Sequence, residues 1–307
     1  MNANAATAAP AAAPALLRRA GPLDTVMALV RRELWEHRAL WVAPLVLAGL
    51  FALLLLLFGV RHIELPQGVL TTEQKTAGLT IMQWGVAQLL FFLSTIVVTV
   101  YLLDCLYAER RDRSILFWKS LPLSDGLTVC SKILVALVVV PFGTLLIAAA
   151  ADLVYTAIIA VRVPGAVSWS TYEWLRTELV LFLEVVLGVL WYAPIAAALL
   201  LLSVWIPRNP LLWALLVPAV PPVVEWFTLG TSYIWRFERY RVNGIWHKLI
   251  AGSDLFADKQ HLPTVGAVLG HLNLGGVFGD ADLWLGVAAA AAMLYAAARI
   301  RRYRDDS

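Results

Sequence analysis

Residues 39–60 read ALWVAPLVLAGLFALLLLLFGV, 22 positions without a charge between Arg38 and Arg61. A helix rises 1.5 Å per residue, so about 20 apolar residues cross the roughly 30 Å of bilayer hydrocarbon. This run is long enough to span a membrane, and the rest of the chain repeats the pattern. Lys75 and Asp104 bracket 28 uncharged residues, Glu184 and Arg208 bracket 23, Arg208 and Glu225 bracket 16, and Asp282 and Arg299 bracket 16. Lys132 opens another window, broken only by Asp152 before Arg162. Six spans are expected, at 40–60, 79–103, 133–160, 179–204, 210–229 and 282–298.

The whole chain agrees with that reading. Its 307 residues are 61% hydrophobic and 15% charged, with a mean hydropathy of +0.76. Soluble domains run near 45–50% apolar and about 25% charged. A soluble enzyme, a secreted disulfide scaffold and a disordered protein are excluded, leaving an all-α polytopic membrane protein. The net charge of +3 is too small to argue for nucleic acid. The uncharged window 260–279 carries five glycines and Pro263, too polar and flexible for a lipid-facing helix. It reads as part of a loop that dips toward the bilayer under cover of protein.

Charge placement sets the expected orientation. Placing both termini in the cytoplasm puts 15 Lys and Arg on that side and nine on the other, as the positive-inside rule requires. Such a protein would sit in the plasma (inner) membrane. Residues 1–22 are an Ala/Pro-rich, disordered segment without the basic start and apolar core of a signal peptide. At 100° per residue Val26, Val30, Leu34, His37 and Trp41 share a face, with Arg31, Arg32 and Arg38 pointing away. That makes 23–38 an amphipathic helix in the interface or one packed on a partner. The six-span domain then covers 39–298, and 299–307 form a basic tail. Ile206–Pro210 is a tight turn whose prolines stop one helix and start the next. The segment 230–281, rich in aromatics and charges, reads as short helices at the outer surface.

The connection between spans two and three is the most informative stretch. It runs Glu109-Arg110-Arg111-Asp112-Arg113-Ser114, then Ile115-Leu116-Phe117-Trp118-Lys119-Ser120, then Leu121-Pro122-Leu123-Ser124-Asp125. Glu109 and Arg113 have the spacing of a helical ion pair, Pro122 ends a short helix, and Ser124 is placed to cap the next. Five large apolar side chains on the water side are costly unless covered, either by a docked cytosolic protein or by folding back onto the leaflet. Phe, Trp and Arg are residue types that carry much interface energy.

The run Glu109-Arg110, Ser114, Ser120-Leu121-Pro122-Leu123-Ser124, Lys132 resembles the permease subunits of type-2 ABC exporters. With the elbow helix, six spans and long outer segment, the resemblance covers most of the chain. It implies a coupling helix seated on a separate ATPase subunit, with Glu109, Arg110, Asp112, Arg113, Ser114, Phe117, Trp118, Lys119, Leu121, Pro122, Ser124 and Asp125 at that interface. It also implies re-entrant helices between spans five and six and a second permease copy or paralogue. No G-x-x-x-x-G-K-S/T phosphate loop is present, so ATP and Mg would belong to the partner and this chain would have no catalytic residue and no cofactor of its own.

Asp152 and Glu184 are the two acids best placed within spans. A charge at mid-helix depth is costly and faces the protein interior, so the pair reads either as a pathway site or as helix-to-helix hydrogen bonding, for instance with Tyr155. Both sit at outer-half depth and could meet. His247, His261 and His271 with Asp254 and Asp258 match no compact zinc spacing, so no metal is expected. Cys105 and Cys130, at the inner ends of adjacent spans, read as free buried thiols. Two other classes remain: a membrane anchor or sensor that recruits a cytosolic partner, and an intramembrane hydrolase. The spans contain no histidine, which disfavours the latter.

Overall fold

The computed structural model describes residues 21–58, 72–114, 124–162, 169–249 and 265–303. They form helices α1 (Pro22–Glu36), α2 (Ala39–Leu57), α3 (Thr72–Arg111), α4 (Asp125–Leu134) and α5 (Val140–Arg162). After these come α6 (Thr171–Trp205), α7 (Pro210–Leu229), α8 (Tyr233–Leu249), α9 (Val265–Gly270), α10 (Leu274–Phe278) and α11 (Ala281–Tyr303). No strand occurs among the described residues. α4 and α5 are one continuous rod joined by a π-helical turn, Val135–Val139. Six helical segments are long and apolar enough to cross a membrane: α2, residues 75–111 of α3, the α4–α5 rod, α6, α7 and α11. This is a multi-pass helical membrane protein.

All six expected spans are present, and several run past their charge-free windows. α3 continues through Asp104 and Glu109 to Arg111, and α4 begins at Asp125, eight residues before the expected 133. Charges end a window on paper. They do not end a helix when partners on neighbouring helices receive them, as Lys132 and Arg301 receive Glu109 and Arg301 receives Asp125.

The π turn has a local cause. Pro141 has no N–H, and its ring would crowd the carbonyl of Leu137 four residues back. Widening the turn relieves that crowding, and the Val140 N–H bonds to Val135 O instead. Pro44 interrupts the facing helix α2 at a similar place. The turn into α7 follows expectation, with Pro210 at the first helical position and Asn209, in the left-handed region (φ 51°), before it.

Packing divides along the bundle. At the α1 end, Leu102, Leu106, Val135, Leu200, Val204 and Ala297 are buried together. Further along, Ala87, Leu90, Ala148, Leu181 and Tyr155 form a second core, in which the Tyr155 hydroxyl donates to Ala48 O (2.8 Å). The segment after α7 is tied back into the bundle. Gly230 (φ 63°) closes α7, its N–H bonding Trp226 O (3.1 Å). Glu225 then caps α8, accepting from Thr231 Oγ1 (2.6 Å), Tyr233 N (2.6 Å) and Ile234 N (2.7 Å).

α8 packs at Trp191, whose Nε1–H donates to Arg241 O (2.7 Å). Trp191 lies twenty residues from the start of α6, or about 30 Å along it. α8 therefore meets α6 well below its tip.

Candidate functional site

The connection between α3 and α4 leaves and rejoins the bundle at the α1 end. α3 ends where Arg113 turns into the left-handed region (φ 56°), and the Ser114 hydroxyl reaches back to Glu109 O (3.3 Å). The chain returns at Ser124, whose Oγ accepts from Leu127 N (3.2 Å) and caps α4 as expected. Phe117, Trp118, Lys119, Leu121 and Pro122 lie outside the described residues. Asp112 and Arg113 are exposed.

Both stems of this loop are clamped by buried charge. Lys132 Nζ sits 2.9 Å from Glu33 Oε1 of α1 and 3.0 Å from Glu109 Oε1 of α3. The other Glu109 oxygen is 3.0 Å from Arg301 of α11, and Arg32 of α1 approaches at 3.6 Å. Arg301 in turn holds Asp125 at 3.2 Å. Tyr101 completes the cluster, its hydroxyl donating to Glu33 Oε2 (3.0 Å). Three cations (Arg32, Lys132, Arg301) thus face three anions (Glu33, Glu109, Asp125). Glu33 is 0% exposed, Lys132 1% and Arg301 4%. Buried charges persist only when paired, and here each has an opposite charge within 4 Å across four separate elements, while Glu109 is held by charge proximity and not by hydrogen bonds.

Arg110 points the opposite way from Glu109. Its guanidinium donates to Ser203 O (2.6 Å) and Ile206 O (2.8 Å), satisfying carbonyls left over at the C-terminus of α6. Ser203 Oγ accepts from Leu106 N (3.2 Å) and Tyr107 N (3.0 Å) of α3. The stem is fixed to α6 on one side and to α1, α4 and α11 on the other.

Several sequence expectations need revision here. Glu109 pairs with Lys132, Arg301 and Arg32, not with Arg113, because α3 ends before Arg113 can continue its helical face. Arg32 turns toward the bundle, reaching Glu36 (2.7 Å) as well as Glu109. Cys105 is buried, but Cys130 is exposed. Glu33, Tyr101 and Arg301 were absent from the expected site. Glu33 carried a faint signal, a lone acid beside the buried Leu29 and Val30 on the inner face of α1.

Toward the end of the bundle away from α1, Asp152 and Glu184 do not meet. Asp152 (0% exposed) has Glu178 of α6 as its acidic neighbour. Glu184 is held by Gln88 of α3, whose Nε2–H donates to both carboxylate oxygens (2.8 and 2.9 Å). His261, Asp254 and Asp258 lie outside the described residues. Glu33, Glu36 and His37 bring three possible metal ligands within 4.8 Å of one another, but Lys132, Tyr101 and Arg32 already engage the two carboxylates. A divalent ion there would sit against two cations.

The network predicts a pH response in α1. Burial works to raise the Glu33 carboxyl, but Lys132 beside it, with Arg32 and Tyr101, holds it below its ordinary value of 4.5. Burial lowers the His37 imidazole from 6.5, with Lys132 assisting and Glu33 opposing. Both groups therefore bind fewer protons folded than unfolded, so stability rises with pH. The His37 contribution fades as pH falls below 6.5, and that of Glu33 as it falls below 4.5. Amide exchange in α1, corrected for intrinsic rates, should quicken below about pH 6 and more steeply below about pH 4.5. Glu33→Gln should flatten the acid limb.

Comparison with protein-family models, curated proteins and solved structures returned no match.

Proposed function

We propose that this chain is the membrane-spanning permease subunit of an ATP-binding-cassette exporter. In this reading the 109–125 loop sits in the cytoplasm on a separate ATPase subunit, which binds ATP and Mg and drives a substrate outward. The observation that carries the reading is the clamp beneath the loop. Glu109 and Lys132 stand at the two stems, and both contact elements beyond the loop's own helices. A force on the loop is thereby passed to α1, α3, α4 and α11 together, through charges too costly to separate. A loop with solvated stems would move without moving the spans.

Two further features fit. The excess of Lys and Arg on the α1 side favours cytoplasmic termini in a plasma membrane. α7 is the least covered span, with 11% of its most apolar stretch buried. Leu211, Leu215, Val220, Phe227 and Leu229 are exposed along it, leaving an apolar flank for a second permease copy. Asp112 and Arg113 at the first stem, with Phe117 and Trp118 beyond, would face the ATPase, while Glu109, Arg110 and Asp125 would anchor the stem behind them.

The test is alanine at Phe117 and Trp118 in the complex purified from the native membrane and reconstituted in vesicles. Buried aromatic anchors cost at least about 2 kcal/mol on truncation, so partner affinity should drop roughly 30-fold or more. ATP-driven efflux should fall with it. Unchanged ATPase docking and efflux in the double variant would overturn the reading. Partner capture without ATP-driven movement of any compound would favour a recruiting anchor.

A further inference from the structure

A second candidate site lies at the α1 end of the membrane-facing surface. A groove of about 680 Å³ opens between α1, α2 and the α4–α5 rod, walled by Leu40, Pro44, Val140, Gly143 and Ile147. It lies where both helical ladders are interrupted, α2 by Pro44 and the rod by the π turn and Pro141. Gly143 marks the open space directly: a Cβ built there meets nothing within 4 Å. From Val139 to Ile147 the groove follows eight residues of helix, or about 12 Å into the depth of the span.

Its chemistry is divided. The one hydroxyl in the wall, Thr144, is committed to Ser94 (2.8 Å), which leaves the interior without a polar group to hold a polar ligand. The mouth is cationic. Arg38, at the junction of α1 and α2, is exposed, and among the described residues no carboxylate pairs with it. Its guanidinium lies 5.9 Å from the Trp35 ring, and Trp35 and Trp41, both exposed, line the groove with it. Tryptophans of this kind belong at headgroup level.

We propose that this groove binds one anionic phospholipid of the leaflet at the α1 end. An acyl chain lies along Pro44, Val140, Gly143 and Ile147, and the phosphate sits at Arg38. An uncharged apolar compound would satisfy the walls and leave the arginine unused. A soluble anion would satisfy the arginine and leave the walls bare. A charged lipid satisfies both, with its headgroup at the depth where the arginine and tryptophans stand. The assignment stands apart from the transport reading and needs only the groove, its mouth and the membrane.

The test uses the full chain in vesicles containing phosphatidylglycerol with a photoactivatable diazirine on one acyl chain, with adducts mapped by peptide mass spectrometry. Adducts should concentrate on residues 40–44 and 140–147, several-fold above those on the exposed flank of α7. Gly143→Leu, which fills open space, should cut groove labelling at least fivefold and leave the melting temperature unchanged. Should that variant fail to fold, Arg38→Gln serves in its place. It should bring labelling by the phosphatidylglycerol probe down to the level given by a matched phosphatidylcholine probe. Equal labelling by the two probes in the unmodified protein would overturn the proposal, as would labelling spread evenly over all lipid-facing helices.

Discussion

The Lys132→Met protein should be strongly destabilised and release α1 from the bundle. Lys132 is 1% exposed and stands between Glu33 and Glu109, which are 0% and 6% exposed. Removing it leaves two carboxylates buried with one fewer cation, and breaking a buried pair in this way costs about 3–5 kcal/mol. Against a total stability of about 5–15 kcal/mol, that is a large fraction. Arg301 still holds Glu109, so the larger loss falls on Glu33 and hence on α1. Adding Glu33→Gln to Lys132→Met restores the balance of charge and should recover part of the loss, the two effects being far from additive. Thermal unfolding in nanodiscs gives the stability. Maleimide labelling gives the location, since Cys105 is buried beside the network while Cys130 is exposed. Cys105 should become reactive in Lys132→Met, with Cys130 reacting equally in all variants. Full protection of Cys105 in a normally stable Lys132→Met protein would show that the network does not hold α1.

That network also marks where the sequence could be read and where it could not. Spans announce themselves locally, because a charge-free run such as 39–60 reflects a single constraint, the thickness of hydrocarbon. The elbow helix, the Ser124 cap and the Pro210 turn are equally local, each decided within a few residues. The clamp is not. Glu33 meets Lys132 across 99 positions in the chain, and no spacing rule connects an acid in one helix to a lysine three helices later. Asp152 illustrates the same limit. Glu184 and Glu178 are six residues apart on α6, about 9 Å along the axis, and only the register of the antiparallel pair decides which one Asp152 faces. The overrun of α3 and α4 beyond their windows has the same origin, since Glu109 and Lys132, which lie in it, meet partners distant in the chain.

The second large effect belongs at the other packing centre. Trp191→Ala should loosen the whole α8–α10 segment from the spans. Trp191 is 0% exposed and, among the described residues, the largest fully buried side chain. Its ring carries the Tyr240 edge at 5.7 Å, the Arg241 guanidinium at 4.6 Å and the Lys248 ammonium at 5.7 Å. Truncating a buried Trp to Ala costs about 3–5 kcal/mol through the cavity alone, and the cations lose the ring face that helps to hold them in place. Other contacts remain, among them Tyr192 to Val242 O (2.8 Å), Tyr240 to Asp282 (2.7 Å), and the Lys248–Asp280 ion pair. None of them fills the space between Ile245, Val277 and Leu283 that the indole occupies. Trp191→Phe separates the ring from its N–H. It keeps the apolar body and leaves Arg241 O without a donor, for a loss of about 1–3 kcal/mol. Limited proteolysis and amide exchange should therefore show residues 233–249 and 265–278 opening strongly in Trp191→Ala and weakly in Trp191→Phe. α1 should be unaffected in both, because Trp191 lies twelve residues, about 18 Å, along α6 from Ser203 at the clamp. Equal protection of α8 in all three proteins would mean that Glu225 and the Asp282 contacts, not the tryptophan, fasten this segment to the bundle.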